Sequence, residues 1–165
     1  MTFIIKFEEI KNLAEKTNVA NKRFFKKLKL KIPSNLDQTM QKLHEKVFEE
    51  IDCLKCANCC KILGPKLTDK DIERLSRYLK IKPSDFFENY LRIDEDNDYV
   101  FKVMPCPFLL TENYCSVYKV RPKACKEYPH TDRKKFYQLF DLTLKNSYTC
   151  PAVYLIIEKL KSLKF

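Results

Sequence analysis

Four cysteines crowd into eight residues of this chain, Cys53, Cys56, Cys59 and Cys60, in the run C-L-K-C-A-N-C-C. Four more follow singly, at Cys106, Cys115, Cys125 and Cys150. A thiolate is a soft, charged ligand, and two of them separated by two residues can reach one metal ion from a single tight turn. That is why C-x2-C pairs recur at zinc and iron–sulfur sites. Two such steps overlap here, so all eight cysteines are candidate metal ligands.

The alternative is a disulfide framework, which needs an oxidising compartment. The N-terminal residues have no apolar stretch of signal-peptide length and turn acidic at Glu8 and Glu9. The longest uninterrupted apolar run, Ala152 to Ile157, is too short to cross a bilayer. The expectation is a cytoplasmic chain with no membrane partner, where thiols stay reduced. Its lysine-rich, glutamine-poor composition is also compatible with a hyperthermophile, and such organisms do make intracellular disulfides. The C-x2-C-x2-C spacing decides for metal.

Cys53, Cys56 and Cys59 have the spacing of the first three ligands of bacterial ferredoxin-type clusters, where a distant Cys-Pro supplies a further thiolate. Cys106-Pro107 and Cys150-Pro151 both have that form. The triplet is therefore expected to share one site. Cys60 adjoins Cys59, and neighbouring side chains tend to diverge, so Cys60 is expected to line that site or to serve a second. Eight thiols could fill two four-cysteine sites, or one site with structural thiols left over. Zinc prefers a closed tetrahedron of four ligands, whereas a [4Fe–4S] cluster takes one ligand at each iron. The triplet inclines the reading to an iron–sulfur cluster, with zinc the alternative.

The 165 residues suffice for one domain with a helical extension. Gly64 is the only glycine, which excludes a G-x-G-x-x-G turn and a phosphate-cradling P-loop. Charge is uneven. Residues 1–50 carry eleven Lys/Arg against seven Asp/Glu, and 119–165 carry eleven against four. The sharpest stretch, Lys22 to Lys31, holds six cations and no acid, interleaved with Phe24, Phe25 and Leu28. It reads first as a solvated lysine face on a packed helix, and second as a surface for nucleic acid or an acidic partner.

Helical spacing recurs through Phe7, Ile10 and Leu13, and a second basic segment runs from about Val19 until Pro33 ends it. Ser34 is the expected N-cap of the next helix, with Asp37 completing a shortened capping box. Leu36, Met40, Leu43, Val47 and Ile51 form its apolar stripe, which carries the chain to the cysteine run. His44, beside that stripe, is expected to pack rather than to ligate. Thr68-x-x-Asp71 opens another capped helix through Ile72, Leu75 and Leu79, and Pro83-Ser84 a short aromatic one. Tyr99–Val103, Phe108–Leu110 and Cys115–Tyr118 have strand composition. They would form a small antiparallel sheet with Cys106 and Cys115 near its edges. Pro122 suits the first turn of a helix holding Cys125, and a last helix starts at Pro151. The predicted fold is α+β: a helix-rich small domain over 51–165 with a short sheet and cysteine-anchored loops, preceded by a basic helical extension over 1–50.

The motifs together resemble the cysteine-cluster family of zinc- or iron-chelating domains, the CxxCxxCC proteins. The resemblance runs from Cys53-x2-Cys56-x2-Cys59-Cys60 through Leu67-Thr68-x-x-Asp71-Ile72-x-Arg74-Leu75 and Cys106-Pro107-Phe108-Leu109. It continues in Cys115-Ser116-Val117-Tyr118-x-x-Arg121-Pro122-x-x-Cys125-x-x-Tyr128-Pro129 and ends at Cys150-Pro151. It implies a metal-chelating role for the cysteines and says nothing of residues 1–50. The same domain occurs in flagellin lysine N-methylases, where it is associated with an iron–sulfur cluster.

Three function classes follow. The first is a metal-binding protein whose cluster or zinc is structural, regulatory or electron-transferring. The second is an S-adenosylmethionine-dependent protein lysine methylation enzyme or subunit, which the shortage of glycine disfavours. The third is a metal-scaffolded module that binds nucleic acid or a protein partner. Arg121 could offset thiolate charge, donate hydrogen bonds to sulfur or hold an anionic substrate; the alternative is that it pairs with an acid while Tyr118 and Tyr128 fill the core. His130 is a further candidate nitrogen ligand.

Overall fold

A computed structural model describes residues 7–163, apart from the side chain of Phe7. The reading of residues 1–6 and the place of Phe7 on the first apolar stripe lie outside the described residues. In chain order the helices are α1 (Phe7–Leu30), α2 (Leu36–Glu50), α3 (Cys53–Cys56), α4 (Asn58–Ile62), α5 (Asp69–Leu79) and α6 (Pro83–Tyr90). The strands β1 (Leu91–Ile93) and β2 (Tyr99–Phe101) come next, then α7 (Lys123–Glu127), α8 (Phe140–Asn146) and α9 (Pro151–Ser162). The chain divides into two compact units. One joins residues up to Cys56 with those from Pro129 onward, and the other is Ala57–Tyr128. The fold is helix-rich α+β with a two-stranded antiparallel sheet, and helices precede the cysteine run, as the patterning predicts.

In the first unit, α1 is one continuous helix through both N-terminal segments that the sequence marks separately. Its inward face is Ile10, Ala14, Phe25 and Leu28, while Lys22, Arg23, Lys26, Lys27 and Lys29 are exposed. The lysine face is solvated, as its spacing with Phe25 and Leu28 requires. Phe25, Leu28, Leu36, Met40, Val47 and Ile51 share a core with Phe136, Phe140 and the α9 residues Val153, Ile156, Ile157 and Leu160. Full burial of one such side chain contributes about 1.5–3 kcal/mol. The N-terminal helices therefore pack against the C-terminal ones.

The cap of α2 corrects the sequence reading. Asn35, not Ser34, is its N-cap, and no side chain caps it. The Asp37 carboxylate instead accepts from the backbone N–H groups of Lys135 (2.7 Å) and Phe136 (2.9 Å), nearly a hundred residues on. A local rule is displaced by a long-range bond that the sequence cannot display. His44 packs as expected: its ring lies 4.5 Å from that of Phe48, and Nδ1 hydrogen-bonds with Thr131 Oγ1 at 2.8 Å.

In the second unit, α5 starts at the expected capping box, with Thr68 and Asp71 reciprocally bonded. Pro83 occupies the first turn of α6. The core is Leu67, Ile72, Leu75, Phe86, Leu91, Phe101, Phe108 and Val117. The sheet differs from the predicted one. Tyr99–Phe101 is a strand, but its partner is Leu91–Ile93, in the register Leu91↔Phe101 and Ile93↔Tyr99. The segments 108–110 and 115–118 form no strand and meet only in the single antiparallel bridge Leu109↔Cys115. Tyr118–Val120 is instead a 3-10 turn. Composition marks β-prone residues, yet pairing depends on a partner of matching register. With a single glycine, left-handed positions fall to other residues, among them Ala57, Lys80, His130 and Lys135.

Candidate metal centre

Each cysteine is delivered by its own local device. Asp52 opens α3, its carboxylate accepting from the Leu54 N–H at 2.9 Å, and α3 carries Cys53 and Cys56 at its two ends. Ala57, at φ 50°, turns the chain into α4, which carries Cys59 and Cys60. The Cys106 N–H donates to the Cys60 carbonyl at 2.8 Å, which ties the Cys-Pro segment to α4. Leu110 N–H to Tyr114 O (2.7 Å) and Ser116 N–H to Phe108 O (2.9 Å) close the loop between Cys106 and Cys115. Cys125 sits on α7, whose N-cap is Pro122. Cys150 is the N-cap of α9, and Pro151 is in the first turn, where its missing N–H costs nothing.

The second unit brings Cys60, Cys106, Cys115 and Cys125 together. Cys106 feels the charges of Cys60 and Cys115. Cys115 feels that of Cys60, and Cys125 those of Cys60, Cys106 and Cys115. Every pair in this quartet is thus electrostatically coupled. Burial is the main cause that pushes Cys106 up to about 11 and Cys125 to about 12, and it raises Cys115 as well. Against burial, the N–H groups of Phe108 and Leu109 favour the Cys106 thiolate, and that of Val117 favours Cys115. Arg121 lowers both Cys115 and Cys125.

Cys60 moves the other way, to about 7, chiefly because the Cys59 thiol hydrogen-bonds to it, with help from Lys61. The two sulfurs are 4.0 Å apart. The expected divergence of these neighbours is therefore not found: on α4 both sulfurs turn toward each other. In metal-free protein at pH 7, iodoacetamide should alkylate Cys60 well ahead of Cys125. About half of Cys60 is thiolate at that pH, whereas Cys125 is almost wholly protonated. Peptide mapping over time reads the order, and faster labelling of Cys125 would contradict it.

The first unit holds a second group. Burial pushes Cys150 up to about 12, the amides of Val153 and Ala152 oppose that, and the charges of Cys53 and Cys56 add to it. The amides bias the sulfur without forming a cap hydrogen bond. Cys53 and Cys56 thus fall in the first unit and Cys59 in the second. No disulfide joins any of the eight cysteines. Among the described residues, no three His, Cys, Asp or Glu side chains already stand in the arrangement that a single ion requires.

Arg121 by its charge favours the thiolate forms of Cys115 and Cys125. It stacks with Cζ 3.9 Å from the centroid of Tyr118, and its Nη1 donates to the Tyr118 carbonyl at 2.9 Å. Tyr118 is exposed rather than in the core.

A family model described as "Putative zinc- or iron-chelating domain", CxxCxxCC, matches residues 52–150, more than half of the chain. The chain belongs to the CxxCxxCC family. The match takes in all eight cysteines of the CxxCxxCC chain and stops short of its N-terminal helices. A curated protein of Methanocaldococcus jannaschii, described only as uncharacterized, is 33% identical over 84 residues, covering 48% of this chain and 44% of that protein. The chain thus spans less than half the length of that relative. No solved structure matches significantly. Among the described residues no helix is long and apolar enough to cross a membrane.

Proposed function

We propose that this chain is an iron–sulfur protein whose cluster is held by Cys60, Cys106, Cys115 and Cys125, with Cys59 beside them and Cys53, Cys56 and Cys150 as a second ligand group in the first unit. The observation that carries the reading is the complete mutual coupling of the four thiols. An all-thiolate set selects soft partners, namely zinc, copper(I) or an iron–sulfur cluster. A single zinc ion, with Zn–S of about 2.3 Å, requires four sulfurs within about 3.8 Å of one another. A four-iron cluster binds each thiolate at a different iron and so accepts a wider spacing. The ferredoxin-like spacing of Cys53, Cys56 and Cys59 inclines the reading to the cluster.

The donor set suits that group further. Amides of Phe108, Leu109 and Val117 are directed at ligand sulfurs, and Arg121 offsets negative charge, both of which tune such clusters. Bound there, the group would cross-link α4, the loop from Cys106 to Cys115, and α7, giving a structural, regulatory or electron-transfer role. The test is anaerobic purification followed by iron, zinc and acid-labile sulfide analysis. Roughly four irons and four sulfides per occupied site are expected. Zinc without sulfide would replace the cluster reading with zinc, and no bound metal of either kind would overturn chelation.

A further inference from the structure

Asp71 is 1% exposed, and its carboxylate reaches beyond its own helix. Oδ2 accepts from the Thr68 N–H at 3.0 Å and the Thr68 hydroxyl at 2.8 Å, which is the local work of a capping box. Oδ1 accepts from the Arg74 guanidinium and from the Lys123 N–H at 3.0 Å, the latter on the first residue of α7. Arg74 in turn donates from Nε to the Val120 carbonyl at 3.2 Å and from Nη2 to the Arg121 carbonyl at 3.0 Å. Capping α5 requires none of these last three bonds. They grip three backbone positions just before Cys125 and include the one that bears Arg121.

We propose that Asp71 and Arg74 are positioning residues for the metal centre, a clamp that holds the segment from Val120 to Cys125 so that the Arg121 charge and the Cys125 sulfur are presented to Cys60, Cys106 and Cys115. The proposal rests on the chelating quartet for its ligand, while the clamp geometry stands independently of it. It ties Thr68-x-x-Asp71-x-x-Arg74 physically to the string Tyr118-x-x-Arg121-Pro122-x-x-Cys125, which begins fifty residues after Thr68. Burial alone would push the Asp71 carboxyl up, but bonds from Thr68, Arg74 and Lys123 hold it below the usual carboxylate range. The clamp is therefore charged on both sides at neutral pH. A guanidinium is needed because its planar fork serves two carbonyls and a carboxylate together, which a lysine ammonium cannot reproduce.

The experiment compares Arg74→Gln and Arg74→Lys with Thr68→Ala, which removes the cap hydroxyl and leaves the three long-range bonds. Anaerobically purified protein with its native metal is challenged with a chelator, and cysteine alkylation is followed by peptide mapping. Both Arg74 variants should release metal about 10–100-fold faster than wild type, the range typical of losing a ligand's supporting partner. Cys125 should then be labelled ahead of Cys106 and Cys115. Thr68→Ala should melt at a lower temperature yet release metal at a rate near wild type. Equal release from Arg74→Gln and Thr68→Ala, or labelling of Cys106 and Cys115 ahead of Cys125, would overturn the clamp. If wild type holds no metal, the chelation reading fails on its own. The clamp is then read from metal-free protein, where Arg74→Gln must raise Cys125 alkylation relative to Cys106 or be abandoned.

Discussion

Replacing Cys125 with alanine should weaken metal retention in the second unit by more than about 100-fold, because loss of an outer partner alone costs about 10–100-fold and Cys125 is a direct ligand. The same substitution should erase the rise in melting temperature that metal confers on wild type, since metal-binding energy at such a site is folding energy. Without metal, the variant should melt within about 5 °C of metal-free wild type, as one small half-buried side chain is lost. Metal content by elemental analysis and paired thermal melts check both parts. Full metal content in the variant would remove Cys125 from the ligand set. Lost metal with an unchanged metal-dependent rise would separate the site from the fold.

The elements that could be read from the sequence are those fixed by local chemistry. Thr68 and Asp71 are three residues apart and cap α5 whatever surrounds them, and Pro83, Pro122 and Pro151 mark helix starts because of what their rings forbid. The stripe Leu36, Met40, Val47 and Ile51 is buried as its spacing dictates. What could not be read depends on remote partners. Asp37 looks like a cap residue and serves Lys135 and Phe136 instead. Leu91–Ile93 is too short and too charged in its middle to stand out, and becomes a strand because Tyr99–Phe101 lies opposite. Helix α8 carries little amphipathic signal of its own, and its Phe140 finds Phe25 across the core at 4.7 Å.

The site divides in the same way. Residue type and the C-x2-C steps made all eight cysteines candidates, and spacing grouped Cys53, Cys56 and Cys59. The quartet of Cys60, Cys106, Cys115 and Cys125 has no spacing signature, since its members stand on a helix, a loop and a second helix distant in sequence. Asp71 reads in the sequence as an ordinary helix start, because its second function and that of Arg74 lie in bonds to Val120, Arg121 and Lys123.

Metal-free protein should lose stability as the pH rises above about 9, with a melting temperature at pH 10.5 at least about 5 °C below that at pH 9. An ordinary thiol titrates near 9.0, but burial pushes Cys106 to about 11 and Cys125 and Cys150 to about 12. Between those values the unfolded chain has given up these protons and the folded chain still holds them. Stability therefore falls with rising pH, because it falls wherever the unfolded state binds fewer protons. Cys60 contributes with the opposite sign. Its folded value of about 7 lies below 9.0, so it adds stability as the pH rises from about 7 to 9. The metal-free protein should then be most stable near pH 9, with Cys60 working below that point and Cys106, Cys115, Cys125 and Cys150 above it. Bound metal changes the balance, since a ligated thiolate has already lost its proton and holds a positive partner in its place. The loaded protein should show no fall of that size between pH 9 and 10.5, and loading at pH 7 should release about three protons or more from the quartet. Thermal melts of both forms across this range, with proton release followed in weakly buffered solution, measure each expectation. A metal-free form whose stability is flat from pH 9 to 10.5 would mean that these half-buried thiols do not resist ionisation.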